Sequence, residues 1–145
     1  MSRRTRRSLI AAGVLATLLL TVLTLGLMSS SGTASSGSGG TTLTSGTATD
    51  VVALTVHRPE TGTTAVDVLL TPRHKPTSAS LSVTVSAVMP TTGHAVPDFT
   101  AVAEADHRYH VAGLPLMMTG RWELLVDIDG NGRHDHLVFP LTLTR

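Results

Sequence analysis

The chain has no cysteine. Disulfides and thiolate metal sites are therefore excluded. Imidazole, carboxylate and thioether groups remain as candidate metal donors. Aromatic residues are almost as scarce: two Phe, one Tyr and one Trp in 145 residues. Basic patches interleaved with aromatics, which nucleic-acid recognition favours, do not occur. Beyond residue 28 no apolar period of 3.6 residues appears, so no helix is expected there on which a phosphate-binding glycine loop could open. The G-x-S-x-G and H-E-x-x-H patterns are also missing. Serine within residues 50–145 is confined to Ser78–Ser86, along one polar strand face. Nothing in this inventory calls for an enzyme, a nucleic-acid partner or a small-molecule substrate.

What charge there is divides unevenly. The formal net charge is +1, but four of the eleven basic residues are Arg3, Arg4, Arg6 and Arg7. From Asp50 onward seven basic residues face ten acidic ones, a balance of −3, and all seven histidines lie in this part. A mildly acidic, histidine-rich domain suits a cation better than a polyanion.

The arginines precede Leu9–Leu27, nineteen residues without a charge. As a helix this run would span roughly 29 Å, close to the thickness of a hydrocarbon core. The arginines would stay on the cytoplasmic side and leave the C-terminus outside. Residues 1–28 are thus expected to be an apolar helix that acts as a membrane anchor or a signal peptide. Small residues after Met28 suit cleavage, but the run exceeds the 7–15 residues typical of a cleaved leader. The expected location is the cell membrane, single-pass with the C-terminal domain outside; secretion after cleavage is the alternative. Thr5-Arg6-Arg7-Ser8-Leu9 also resembles a twin-arginine export signal. Residues 29–49 are Ser, Thr, Gly and Ala with one Leu. Such a composition buries too little apolar surface to offset ordering, and residues 29–49 are read as a flexible linker spanning roughly 25 Å.

Residues 50–145 read as the folded domain. Period-2 alternation dominates it: Val52, Leu54 and Val56 share a face, as do Val66, Val68 and Leu70. Ala79–Met89 puts Ala79, Leu81, Val83, Val85 and Ala87 on one side, and Pro90 ends it. Phe99–Glu104 and His107–Val111 follow, with a turn at Ala105-Asp106. Arg121–Asp129 and His134–Thr144 flank Gly130-Asn-Gly-Arg133, which is hairpin chemistry. About seven short strands with turns between them predict an all-β domain, an immunoglobulin-like antiparallel β-sandwich. An inward Trp122 would be a core anchor whose indole N–H needs a partner.

Two groups of residues carry possible chemistry. Met89, His94, Met117 and Met118 lie in or beside loops that can gather at one end of a sandwich. Thioether and imidazole are ligands that copper accepts, the thioethers favouring Cu(I). The bland alternative is that Met89, inward by parity, fills core. The second group is Asp127, Asp129, His134 and His136. Asp127-Ile-Asp129-Gly-Asn131-Gly132 matches the start of a calcium loop, but position 12 is Val138, where that loop needs a bidentate Glu. A hairpin across Gly130–Arg133 instead sets Asp129 opposite His134 and Asp127 opposite His136, all outward. That face suits Zn²⁺ or Cu²⁺, or two solvated Asp–His pairs. Upward-shifted histidines are expected from the facing carboxylates. His57, His74 and His110 show no partner in the sequence and read as solvated surface.

Met89-Pro-Thr-Thr-Gly93-His94, Glu104-Ala-Asp-His-Arg108-Tyr109 and Leu114-Pro-Leu-Met-Met118-Thr-Gly120-Arg-Trp122-Glu-Leu together resemble the FixH/YtkA-like domain family. The resemblance spans roughly residues 51–144 and is sharp from Met89 to Leu125. It implies a small extracytoplasmic β-sandwich, similar to CopC-type copper proteins and linked to copper handling. By position it implies Met89, His94 and Met118 as copper ligands, with Met117 beside them, and Gly120 and Trp122 as structural residues. Two positions depart from the pattern: Thr92 stands where a Met often precedes Gly-His, and His107 where a turn glycine is common. The resulting expectation is a copper-binding or copper-delivery domain, tethered at the membrane and serving a membrane protein partner. A metal-free interaction module, or a Ca²⁺- or Zn²⁺-stabilised domain centred on the Asp127–His136 hairpin, are the rivals.

Overall fold

The computed structural model describes residues 35–37, 39–74 and 80–144. The expected membrane segment, residues 1–28, and the first part of the expected linker lie outside them. Among the described residues there are ten strands and no helix. In chain order they are β1 (Ser35–Gly37), β2 (Gly40–Gly46), β3 (Asp50–Val56), β4 (Gly62–Pro72), β5 (Ser82–Met89), β6 (His94–Thr100), β7 (Val102–Ala103), β8 (Arg108–Leu116), β9 (Gly120–Gly130) and β10 (Arg133–Leu143).

They form two sheets. One has the order β1-β2-β3-β4-β8-β7 and the other β10-β9-β5-β6. Every pairing within them is antiparallel. The two sheets share one core, so the all-β, sandwich-like architecture expected from the alternation is present. Val52, Leu54 and Val56 on β3, and Val66 and Val68 on β4, are fully buried; so are Val83 and Val85 on β5 and Trp122, Leu124, Val126 and Ile128 on β9. Each fully buried Val, Leu or Ile contributes about 1.5–3 kcal/mol relative to exposure, and strict alternation is what delivers them all to one side.

Two bulges keep that alternation in step with the sheet. Between Thr64 and Val66 the β4–β8 register shifts, because Val66 pairs with Val111 and Thr64 with Leu114. The extra residue in β8 switches its inward parity from Tyr109 and Val111 to Leu114 and Leu116, all buried. A second shift occurs opposite Val85 and Ala87, whose partners on β6 are Phe99 and Val96. A bulge of this kind bends the strand and re-aims its side chains.

Three expectations need correction. Gly40–Gly46, assigned by composition to the flexible linker, is strand β2 and pairs with β3 from Thr41↔Val56 to Gly46↔Val51. It lies between β1 and β3, so ladder bonds to both neighbours and a half-buried Leu43 order it despite its polar composition; the Thr42 and Thr55 hydroxyls also bond at 2.9 Å. Within the described residues of 50–145 there are eight strands, β3 to β10, against the expected seven or so, the additional one being the two-residue β7. Finally, the loop expected after Met89 is only four residues long, and His94 already begins β6. The β8 strand likewise runs on to Leu116, past the expected end at Val111.

At the end of the molecule away from that loop, the two sheets are tied by a charged pair. Arg133 Nη1 on β10 lies 2.5 Å from Asp50 Oδ2 on β3, and Asp50 is buried. The same guanidinium donates to the hydroxyl of Thr49.

Candidate functional site

The β5–β6 hairpin brings Met89 and His94 together. They are direct Cα partners across the turn Pro90–Gly93. The turn closes with Gly93 N–H donating to the Met89 carbonyl at 2.9 Å. Met89 points into the core and is 4% exposed, whereas His94, at the rim of the same face, is exposed.

The β8–β9 turn crosses between the two sheets at the same end. Trp122, fully buried, donates its indole N–H to the Met118 carbonyl at 2.9 Å. That bond ties the backbone of the turn to the indole at Met118. His94 meets the same indole edge-on, with ring centroids 5.8 Å apart and planes at 80°. Gly120 completes the arrangement. A Cβ placed there would stand 2.9 Å from Met89 Cε, and its φ of +126° is a conformation that L side chains rarely adopt. Trp122 is thus met by the His94 ring and by the Met118 backbone carbonyl, and the Met89 methyl lies against Gly120. Met117 and Met118 side chains extend outward, 58% and 41% exposed. The side chains at these positions are neutral thioethers and an imidazole, ligand types that suit a soft, low-charge ion.

The β9–β10 hairpin has the register that the turn chemistry implies: Asp129 pairs with His134 and Asp127 with His136. Asn131 at φ +55° and Gly132 at φ +71° make the two-residue turn, with both central residues in the positive-φ region that a type I′ turn requires. His134 Nδ1 lies 2.6 Å from Asp129 Oδ1, and His136 Nδ1 lies 2.6 Å from Asp127 Oδ1. His134 Nε2 also approaches Asp127 Oδ1 at 3.8 Å. The hydrogen bond that the His134 ring donates to Asp129, and the negative charge of that carboxylate, push His134 above its ordinary value, as expected from the sequence. The four side chains form hydrogen-bonded pairs, and among the described residues no group of three or more His, Asp or Glu is arranged as a ready-made metal cage.

One constellation escaped the sequence. His57 and His110, read as unpartnered surface, both bond Asp67. His57 Nε2 lies 2.6 Å from Oδ2, and His110 Nδ1 lies 2.6 Å from Oδ1. Burial pushes the Asp67 carboxyl up, but the hydrogen bonds from His110 and His57 and their charge outweigh it, so the group sits below its ordinary value. Outward parity was legible for all three residues. Their meeting depends on the β3–β4–β8 strand order, which parity does not give.

Comparison with protein-family models, curated protein sequences and solved structures finds no match for the chain.

Proposed function

We propose that the Trp122 end of the sandwich binds copper, and that the protein is an extracytoplasmic, membrane-tethered copper-binding or copper-delivery domain of immunoglobulin-like topology. The observation that carries this reading is that two separate hairpin ends meet at one indole, through the His94 ring and the Met118 backbone carbonyl, with the Met89 methyl against Gly120. Met89, His94 and Met118 are the residues that would hold the ion, with Met117 as an additional thioether. Copper bound there would supply redox-capable or transferable metal. The chain's own contribution is to position neutral soft donors and, through the buried Trp122, to keep their inner side dry. The resemblance of Met89–Leu125 to FixH/YtkA-like domains supports the same reading. So does the apolar run Leu9–Leu27, which suits an anchor that holds the domain outside the membrane near a membrane protein partner.

A second reading rests on a different observation. Met117 and Met118 stand exposed side by side on the β8–β9 turn, and methionine-rich surfaces adapt to protein partners. On that reading the same end is a metal-free interaction module.

The test is an anaerobic Cu(I) titration of the full chain in detergent against a competing chelator, with Trp122 emission recorded in parallel. The copper reading expects one-to-one binding, quenched emission, and loss of both in His94→Ala and Met118→Ala. A titration in which the chelator keeps all the copper and emission is unchanged refutes it and leaves the interaction module.

A further inference from the structure

Asp67 stands at an unusual place. It lies in the middle of β4, a central strand of the six-stranded sheet, where aspartate is disfavoured. The register sets it opposite Thr55 on β3 and opposite His110 on β8. His57, two residues past Thr55, is diagonal to it and is fixed there by its own N–H bonding the Ala65 carbonyl at 3.1 Å. Strands β4 and β8 and the residue that follows β3 thus each deliver one side chain to the same spot on the outer sheet face. The carboxylate is only 16% exposed, while the His57 and His110 side chains are 50% and 33% exposed. Each carboxylate oxygen faces one imidazole nitrogen at 2.6 Å.

A mid-strand carboxylate needing only charge balance is served by Lys or Arg, which stay charged at every working pH. Both ion-pair partners of Asp67 are histidines instead. Near neutral pH an imidazole offers one N–H and one lone pair. Two imidazole nitrogens and a carboxylate are the donor set of borderline divalent cations, at about 2.0–2.2 Å from the metal.

We infer that His57, Asp67 and His110 form a cation site on the outer face of the six-stranded sheet, taking a divalent ion of the zinc class between the carboxylate and the two imidazoles. The hydrogen-bonded triplet, in which each imidazole faces a different carboxylate oxygen and the three groups are not yet arranged as a metal cage, is its metal-free form. On loading, each ring proton moves to the remote ring nitrogen, so no net proton is lost from a neutral imidazole. The rings turn about χ2, a broad torsion in histidine, while the more deeply set carboxylate stays in place. The remaining coordination positions open to solvent. None of the donors is a thioether, so this site stands independently of the copper reading.

The probe is Zn²⁺, titrated calorimetrically into the full chain in detergent. Side-chain ¹⁵N shifts of His57 and His110 are followed by NMR. The expected result is saturable binding that moves both histidines. Affinity falls at least about tenfold in His57→Gln, which removes an exposed ring and leaves the His110–Asp67 bond intact, and likewise in Asp67→Asn. Asp129→Asn on the β9–β10 hairpin leaves the affinity unchanged. Zn²⁺ binding that survives His57→Gln and Asp67→Asn but falls with Asp129→Asn overturns the inference, since the hairpin then holds the ion. An absence of saturable Zn²⁺ binding overturns it equally.

Discussion

The indole N–H of Trp122 donates to the carbonyl of Met118 at 2.9 Å, so the core's largest side chain also fastens the turn that carries the exposed methionines. Trp122→Phe removes that bond and part of the ring's volume. It is expected to destabilise the domain by about 2 kcal/mol, read as a fall in Tm of several degrees. The turn sits at the surface, where water can replace the lost donor, which keeps the cost moderate. In a ¹H–¹⁵N spectrum the backbone signals of Met117, Met118 and Thr119 should move more than those of the β9–β10 hairpin.

Gly120 is held by conformation more than by space. Its φ of +126° costs a non-glycine residue about 1–3 kcal/mol. The nearest neighbour of an added Cβ is the terminal methyl of Met89, which can swing aside. Gly120→Ala is therefore expected to lower stability by that amount in urea denaturation. Shortening Met89 in the same protein should not restore it. Full rescue by Met89→Ala would mean that contact, not backbone conformation, sets the cost.

The pH dependence has two components of opposite sign. Asp67 is depressed in the folded chain, so its contribution is present above its unfolded value, about 3.9, and is lost as pH falls through the lower folded value. His134 is raised, so its contribution is full below its unfolded value, about 6.5, and disappears as pH rises through the higher folded value. Asp129→Asn should bring the NMR titration midpoint of His134 down. Asp67→Asn should flatten the loss of stability below about pH 4. A His134 midpoint unmoved by Asp129→Asn would deny the pairing its electrostatic role.

The β7–β8 turn carries Asp106 and His107, both at φ +59°, and Arg108 N–H returns to the Ala105 carbonyl at 3.3 Å. A left-handed conformation costs an ordinary L residue about 1–2 kcal/mol, which glycine avoids. His107→Gly is expected to stabilise the chain by about 0.5–1 kcal/mol after the greater unfolded-state freedom of glycine is allowed for, and Tm should rise by several degrees. An unchanged or lower Tm would mean that the histidine side chain makes a compensating contact.

Much of this architecture was legible because alternation is a local signal. Val52, Leu54 and Val56, or Trp122, Leu124, Val126 and Ile128, announce their buried face without reference to any other strand. The β9–β10 register was legible too, since Gly130-Asn-Gly allows few turn geometries, and the Asp129–His134 and Asp127–His136 pairs follow from it. Strand β2 was not, because Thr41, Thr42 and Ser45 have no apolar period; its order comes from β3, a partner that local composition does not reveal. The same reason hid His57, Asp67 and His110, whose separations of ten and forty-three residues are closed by strand order. At the Trp122 end the residue types were readable, but the contact of His94 with the indole came only with the fold. The Met117-Met118 pair, which cannot share one face of a strand, is accommodated because β8 has already ended at Leu116.

The order of strands also governs what happens at the rims of the sheets. An open β-edge is a template on which another chain can add. The smaller sheet ends on β6 and β10, and these carry Pro97 and Pro140, each lacking the N–H that a newcomer would have to engage. The larger sheet ends on β1 and β7, strands of three and two residues. Among the described residues each rim strand is either interrupted by a proline or no longer than three residues. A chain rich in Val and Thr, with the β-propensity of a fibril former, is thereby steered away from amyloid-like growth by where its prolines and its shortest strands fall.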